Sequence, residues 1–353
     1  MDIELHATTG VEHLDELLGH LIALFEQSFP GRIRSYYLGG SYSDGTAVGH
    51  DSSPNSSDVD LFVIFRGTVA SDENATFKRL VEECRRDLPV QVDAHAYSEE
   101  DLFGLPRKDA TQTSFLNALI REAGMLVYGE DLRAEMPSVP FSLYILDVIE
   151  SGIFHVGIPR QEKALAYPLM TPLVPPLAYP NPDGEFYGYD VVPARPDAPH
   201  GTRVLVALTA WIATLILALE TGRYAVQKSQ SLRLCKEYLP YDWRTQLVTE
   251  ILDVCKGSWG YAQPSSGEAR SRLRHLCRET LSLENEYLRI VHDYVLAQLQ
   301  HAPVQEKRQA LRILQNVVYQ DNEIMTVLET LTHDTDETVQ TRAAKALEIH
   351  FTL

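Results

Sequence analysis

The chain has 353 residues, 44% of them hydrophobic and 23% charged, the balance of a globular protein with room for two or three domains. Its 49 acidic residues outnumber 31 basic ones, for a formal charge of −18. That excess disfavours a long DNA or RNA partner, which is held through clustered Lys and Arg, and suits either simple solubility or the attraction of a cationic ligand.

The start, MDIELHATTGVEHLDELL, has no basic segment followed by an apolar core, so no secretory signal is expected and the cytoplasm is the expected compartment. Residues 11–29 place Val11, Leu14, Leu17, Leu18, Leu21, Ile22 and Phe25 at helical spacing, and Pro30–Gly31 stops that helix. IRSYYLGG reads as a short strand ending in glycines. LFVIF (61–65) is a continuous apolar run suited to a strand covered on both faces. Phe77 to Leu88 reads as a helix, and Val90 to Tyr97 (VQVDAHAY) alternates like a strand. This alternation indicates an α/β domain over roughly the first 135 residues.

From Pro168 to Pro199 prolines crowd in and exclude a long helix or a central strand. The stretch is a domain connection, or a loop over a site whose tyrosines and Phe186 either stack on a ligand or pin the loop. Beyond Gly201 the chain reads as helices: Arg203–Thr221 closed by Gly222, Ser229–Tyr238, Trp243–Cys255, and one long or two shorter helices over Glu268–Leu299. The apolar run Val204–Leu219 falls short of the roughly 20 residues that span a bilayer, so a buried bundle helix is expected and no membrane partner. After Pro303 come two further helical segments, EKRQALRILQNVVYQ and DETVQTRAAKALEIHF. LTHDTDETVQTRAAKALEIH resembles one HEAT-type repeat, with Val339, Ala343, Ala344 and Leu347 on its buried stripe. A single unit suits a terminal cap, and it is where a protein partner would dock. The cysteines Cys84, Cys235, Cys255 and Cys277 have neither zinc nor disulfide spacing.

Chemistry concentrates between Tyr37 and Phe65, in YLGGSYSDGTAVGHDSSPNSSDVDLFVIF. A strand ending at Gly39–Gly40 lets a phosphate approach the backbone N–H groups, and Ser41 adds a hydroxyl. Asp58 and Asp60, two apart at the start of a strand, point to the same side. Two such carboxylates need a cation to neutralise them, and hard oxygen ligands suit Mg²⁺. A metal beside a phosphate cradle is the apparatus of phosphoryl and nucleotidyl transfer. Asp44 and Ser57 read as loop residues.

The order Gly40, Ser41, loop, Asp58, Asp60 and an apolar run resembles the polymerase-β-type nucleotidyltransferase superfamily. The resemblance implies an α/β (α+β) nucleotidyltransferase domain, two Mg²⁺ ions held by the paired acids, and a third carboxylate from a later strand, here Asp93. His95 shares the side of Asp93 and is either an aid to proton transfer or a bystander. The loop over residues 42–57 is longer than the family usually shows, with a polar insertion around HDSSPNSS. More narrowly, LVYGEDL (126–132) and ETGRYAVQKSQSLRLCKEYLP (220–240) resemble the aminoglycoside adenylyltransferases, whose catalytic domain precedes an all-α helical bundle. That implies phosphate contact by Lys228. No counterpart of that group's polar adenine contacts is present, so the resemblance leaves the base open.

The expected organisation is therefore a catalytic domain over 1–140, a Pro-rich connection over 141–200, a helical bundle over 201–300 and HEAT-like terminal helices over 301–353. The expected reaction is Mg²⁺-dependent transfer of a nucleoside monophosphate, AMP from ATP foremost, to a hydroxyl of a small molecule such as an aminoglycoside, bound between domain and bundle. Alternatives are nucleotidylation of a protein or tRNA, and a non-catalytic nucleotide-binding scaffold.

Overall fold

A computed structural model describes residues 3–49, 57–87, 91–104, 113–160, 164–170, 189 and 201–352. The chain divides into two compact units, Met1–Pro140 with Val226–Gln230, and Phe141–Ala225 with Ser231–Leu353.

The first unit is mixed α and β, in the order α1 (Glu12–Ser28), β1 (Ile33–Gly39), α2 (Gly40–Ser43), β2 (Val59–Phe65), α3 (Ser71–Asp87), β3 (Val92–Ser98), α4 (Glu99–Phe103), α5 (Thr113–Ala123) and β4 (Met125–Gly129). Its sheet runs β3-β2-β1-β4. β2 and β3 are parallel, which demands a crossover, and α3 supplies it; β1 is antiparallel to both β2 and β4. One side of the sheet is dry. Leu38, Val59, Leu61, Val63, Phe65, Val92 and Ala94 form a core with the stripe of α1 (Leu14, Leu18, Leu21, Ile22, Phe25) and with Phe77, Leu80 and Val81 of α3. The alternate residues Gly39, Asp60, Phe62, Asp93, His95 and Tyr97 therefore share the opposite side. Arg32 ties the start of β1 to α3 through Glu73, with Nε 2.6 Å from Oε1. The same glutamate accepts from the backbone of Ala70 and so caps its own helix.

The second unit comprises α6 (Phe141–Gly157), β5 (Leu165–Tyr167), α7 (Arg203–Thr221), most of α8 (Lys228–Tyr238), α9 (Trp243–Ile251), a π-helical extension (Leu252–Ser258), α10 (Gly267–His301), α11 (Val304–Ile313), β6 (Val317–Tyr319), α12 (Asn322–Leu331) and α13 (Glu337–Thr352). Among the described residues, α7 is the one helix long and apolar enough to cross a membrane, and 72% of its apolar window is buried inside the protein. Gly222 ends it in the left-handed conformation, φ 69°. Buried among the helices, Arg160 makes paired hydrogen bonds to Glu284 (3.0 and 2.7 Å), and the Tyr189 hydroxyl donates to the same carboxylate at 2.7 Å.

Several elements differ from the sequence expectation. Residues 141–157 form a helix of the second unit, where a connection was expected. FSLYILDVIESGIFHVG is apolar almost all round, so it carries no amphipathic stripe to announce it. VVY in the first terminal segment is not helical: it is β6, paired in parallel with β5. β-branched valines and a tyrosine suit that extended ladder. Glu268–Leu299 lies in one helix of 35 residues. Residues 301–352 cluster with the rest of the second unit. Glu306 accepts from Ser142 at 3.0 Å, Arg312 meets Glu150 at 2.5 Å, and Gln309 bonds Asp147, all on α6. In α13 the buried stripe is Val339, Ala343 and Ala346; Ala344 is exposed, because the helix turns by 3.6 residues and 339, 343 and 346 share a face. Of the Pro-rich stretch only residues 168–170 and Tyr189 are described; Phe186 and its neighbours lie outside the described residues.

Candidate metal centre

The site is built where β1 ends and β2 and β3 begin. In the parallel register Val59 pairs with Val92 and Asp60 with Asp93, which sets the two carboxylates on neighbouring strands and the same side. Asp58, two residues before Asp60, joins them. One ligand oxygen from each of Asp58, Asp60 and Asp93 lies within 4.8 Å of the others, and all three residues are half-buried. The apolar run from Leu61 to Phe65 anchors β2 in the core and so fixes where these acids project.

Gly40 completes the geometry. Its φ is +64°, and a Cβ built there would fall 2.0 Å from the Asp60 Oδ2. The chain therefore passes against the carboxylate at a distance only glycine permits. Beyond it the loop folds on itself: the Ser43 hydroxyl donates to the Gly40 carbonyl at 2.8 Å, and Thr46 N–H donates to the Ser41 carbonyl at 2.9 Å. Asp44 Oδ1 accepts from Thr46 N at 3.0 Å and Oγ1 at 2.6 Å. Val48 and Ser57 close the described ends of the long loop, with Ser57 N donating to the Val48 carbonyl at 2.8 Å and Val48 N to Ser57 Oγ at 3.0 Å. The inserted residues 50–56 lie outside the described residues.

Around the acids, the Gln91 amide donates to both Asp93 oxygens (3.3 and 3.1 Å). Burial, reinforced by the negative charge of Asp60, pushes the Tyr97 phenol up to about 12, so it stays a neutral hydroxyl at physiological pH. His95 is exposed, its ring stacked at 6.4 Å on Phe62 and 6.3 Å from Tyr97.

Lys228 stands at the first position of α8 and is exposed. Its segment, Val226–Gln230, is the part of the later chain that clusters with the first unit. Gln227 donates to the Ser43 hydroxyl at 3.1 Å, and the Ser229 hydroxyl donates to Asp44 Oδ2. Gln230 closes the segment by accepting from Val226 N at 3.0 Å. Lys228 is thus held between two residues bonded to the loop that continues from Gly40–Ser41. A cation at a helix N-terminus is disfavoured by the helix field, so helix formation does not account for a lysine there.

Sequence reasoning passed over Gln91, Gln227 and Ser229, and read Asp44 as a loop residue only. Gln91 was discoverable, being two residues before Asp93 on one strand side. Gln227 meets Ser43, and Ser229 meets Asp44, across 184 and 185 positions, a separation that leaves no local trace.

Oxygens bound to one hard cation at about 2.0–2.6 Å lie up to about 4–5 Å apart, so the three carboxylates could hold a metal ion together. Without a cation, three acids at this spacing repel one another. A scan against protein-family models and a search of curated proteins each return no match.

Proposed function

We propose that this protein is a Mg²⁺-dependent nucleotidyltransferase that moves a nucleoside monophosphate, AMP from ATP foremost, to a hydroxyl of a small molecule. The observation that carries the reading is the convergence of Asp58, Asp60 and Asp93, with the Gly40 turn packed against Asp60. Asp58, Asp60 and Asp93 would hold the metal between them. Bound Mg²⁺ supplies charge neutralisation at the α-phosphate and the departing pyrophosphate. Gly40 and Ser41 offer backbone N–H and hydroxyl donors to the β- and γ-phosphates, and Lys228 adds a positive charge there. Asp93 takes the proton of the acceptor hydroxyl as its oxygen bonds to the α-phosphorus. The bond from that phosphorus to the bridging β-oxygen breaks, and pyrophosphate leaves.

The acidic composition suits a polycationic acceptor such as an aminoglycoside, which a negative field attracts. The decisive experiment incubates the full chain with Mg²⁺ and α-labelled ATP against a panel of aminoglycosides and other small hydroxyl compounds, with protein and tRNA arms. Transfer of label with pyrophosphate release, lost on chelation, is the expected result in a small-molecule arm. Labelling confined to protein or tRNA reassigns the acceptor. No Mg²⁺-dependent nucleotide binding and no labelling in any arm ends the reading.

A further inference from the structure

We infer that Gln227, Ser229 and Asp44 form a clasp whose task is to deliver Lys228 to the triphosphate, making Asp44 and Ser229 positioning residues for nucleotide binding. The inference rests on the proposed nucleotidyltransferase reading and specifies how its phosphate subsite is assembled.

Three features carry it. Asp44 divides its carboxylate: Oδ1 takes both donors of Thr46 and fixes the loop after Ser41, whereas Oδ2 accepts the Ser229 hydroxyl. A residue serving only its own loop needs the first set alone. Next, Gln227 repeats the attachment one residue before Lys228, through Ser43, whose own hydroxyl donates to the Gly40 carbonyl. The chain from Gly40 to Gln227 is therefore a continuous run of hydrogen bonds. Finally, the five residues Val226–Gln230 belong to the first unit while the chain on either side belongs to the second. Lys228 lies at the centre of that segment, exposed, with its two neighbours tied down. A flexible four-carbon lysine gains most from such anchoring, because fixing its backbone removes part of the ordering cost of gripping an anion.

The subsite reads phosphate, so the probe is magnesium tripolyphosphate, which carries no base or sugar, with Mg-ATP alongside. Calorimetry on the full chain compares wild type, Ser229→Ala, Ser229→Thr, Lys228→Ala and the double variant Ser229→Ala/Lys228→Ala. Loss of the hydroxyl is expected to weaken tripolyphosphate binding about 5- to 10-fold, the scale of one hydrogen bond. Ser229→Thr keeps the hydroxyl and restores binding. The double variant binds no more weakly than Lys228→Ala, since the clasp acts through the lysine. Alanine favours the helix, and equal unfolding temperatures check that the variants are folded. Wild-type affinity in Ser229→Ala, or losses that add in the double variant, overturns the clasp and leaves the nucleotidyltransferase reading standing. A wild-type chain that binds neither tripolyphosphate nor Mg-ATP overturns both.

Discussion

Gly40 has no room for a methyl group, and the consequence can be read out directly. Alanine there meets a left-handed φ, at a cost of roughly 1–2 kcal/mol, and collides with the Asp60 carboxylate. Gly40→Ala is expected to displace Asp60 and weaken Mn²⁺ binding at least tenfold, measured by paramagnetic titration, while the circular dichroism spectrum is kept. A wild-type titration would separate Gly40 from the metal centre. Asp58→Asn or Asp60→Asn tests the acids themselves. Transfer should fall about a hundredfold or more, because metal and donors carry most of the charge stabilisation. The unfolding temperature without Mg²⁺ should hold or rise as like-charge repulsion is relieved. Turnover matching wild type in either variant would remove those residues from the chemistry. The acids were legible in the sequence because spacing of two puts side chains on one strand side and an apolar run marks that strand as core. Tyr97 and Gln91 were not, since a tyrosine or glutamine on an alternating strand has many ordinary uses.

At the scale of elements, α1, α3 and β3 were readable from periodicity, β2 from its continuous apolar run and β1 from its closing glycines. α6 and β6 were not: the first is apolar almost all round, and the second is three residues long and is defined by its partner β5. The tie between β1 and α3 has a pH signature. The Arg32 guanidinium, helped by the Ala70 N–H, holds the Glu73 carboxyl down at about 2. A carboxyl lowered on folding stabilises the native state above its ordinary value near 4.5, and that contribution is lost as pH falls towards about 2. Glu73→Gln should therefore be less stable than wild type at pH 7, by less than about 1 kcal/mol for so accessible a pair, and should converge with it near pH 2. Denaturant midpoints across that range measure it, and a gap independent of pH would discount the ion pair.

Over the whole molecule the terminal segment packs into the second unit. Leu311, Ile313, Val317 and Tyr319 are buried, the last donating its hydroxyl to the Leu288 carbonyl at 2.9 Å. Burying each such side chain contributes about 1.5–3 kcal/mol, and together they rival the 5–15 kcal/mol that holds a typical domain. A chain cut after residue 302 is expected to lose the cooperative unfolding of the second unit, seen by calorimetry. A second unit that melts as before would make residues 303–353 an independent appendage. The repeat-like pattern of α13 was legible; the attachment of α11 to α6 was not, because side-chain pairs 162 and 164 positions apart lie beyond any periodicity.

The placement of Val226–Gln230 also sets a schedule for synthesis. Residues 1–140 leave the ribosome with their sheet and acids complete, yet the segment carrying Lys228 follows only after another 90 or so residues, α7 among them. At about 5–20 residues per second that interval is roughly 5 to 18 seconds. During it the nascent chain carries the acid cluster but lacks Lys228. If the proposed function holds, competence for the nucleotide arrives late, after the apolar helix α7 has already been made.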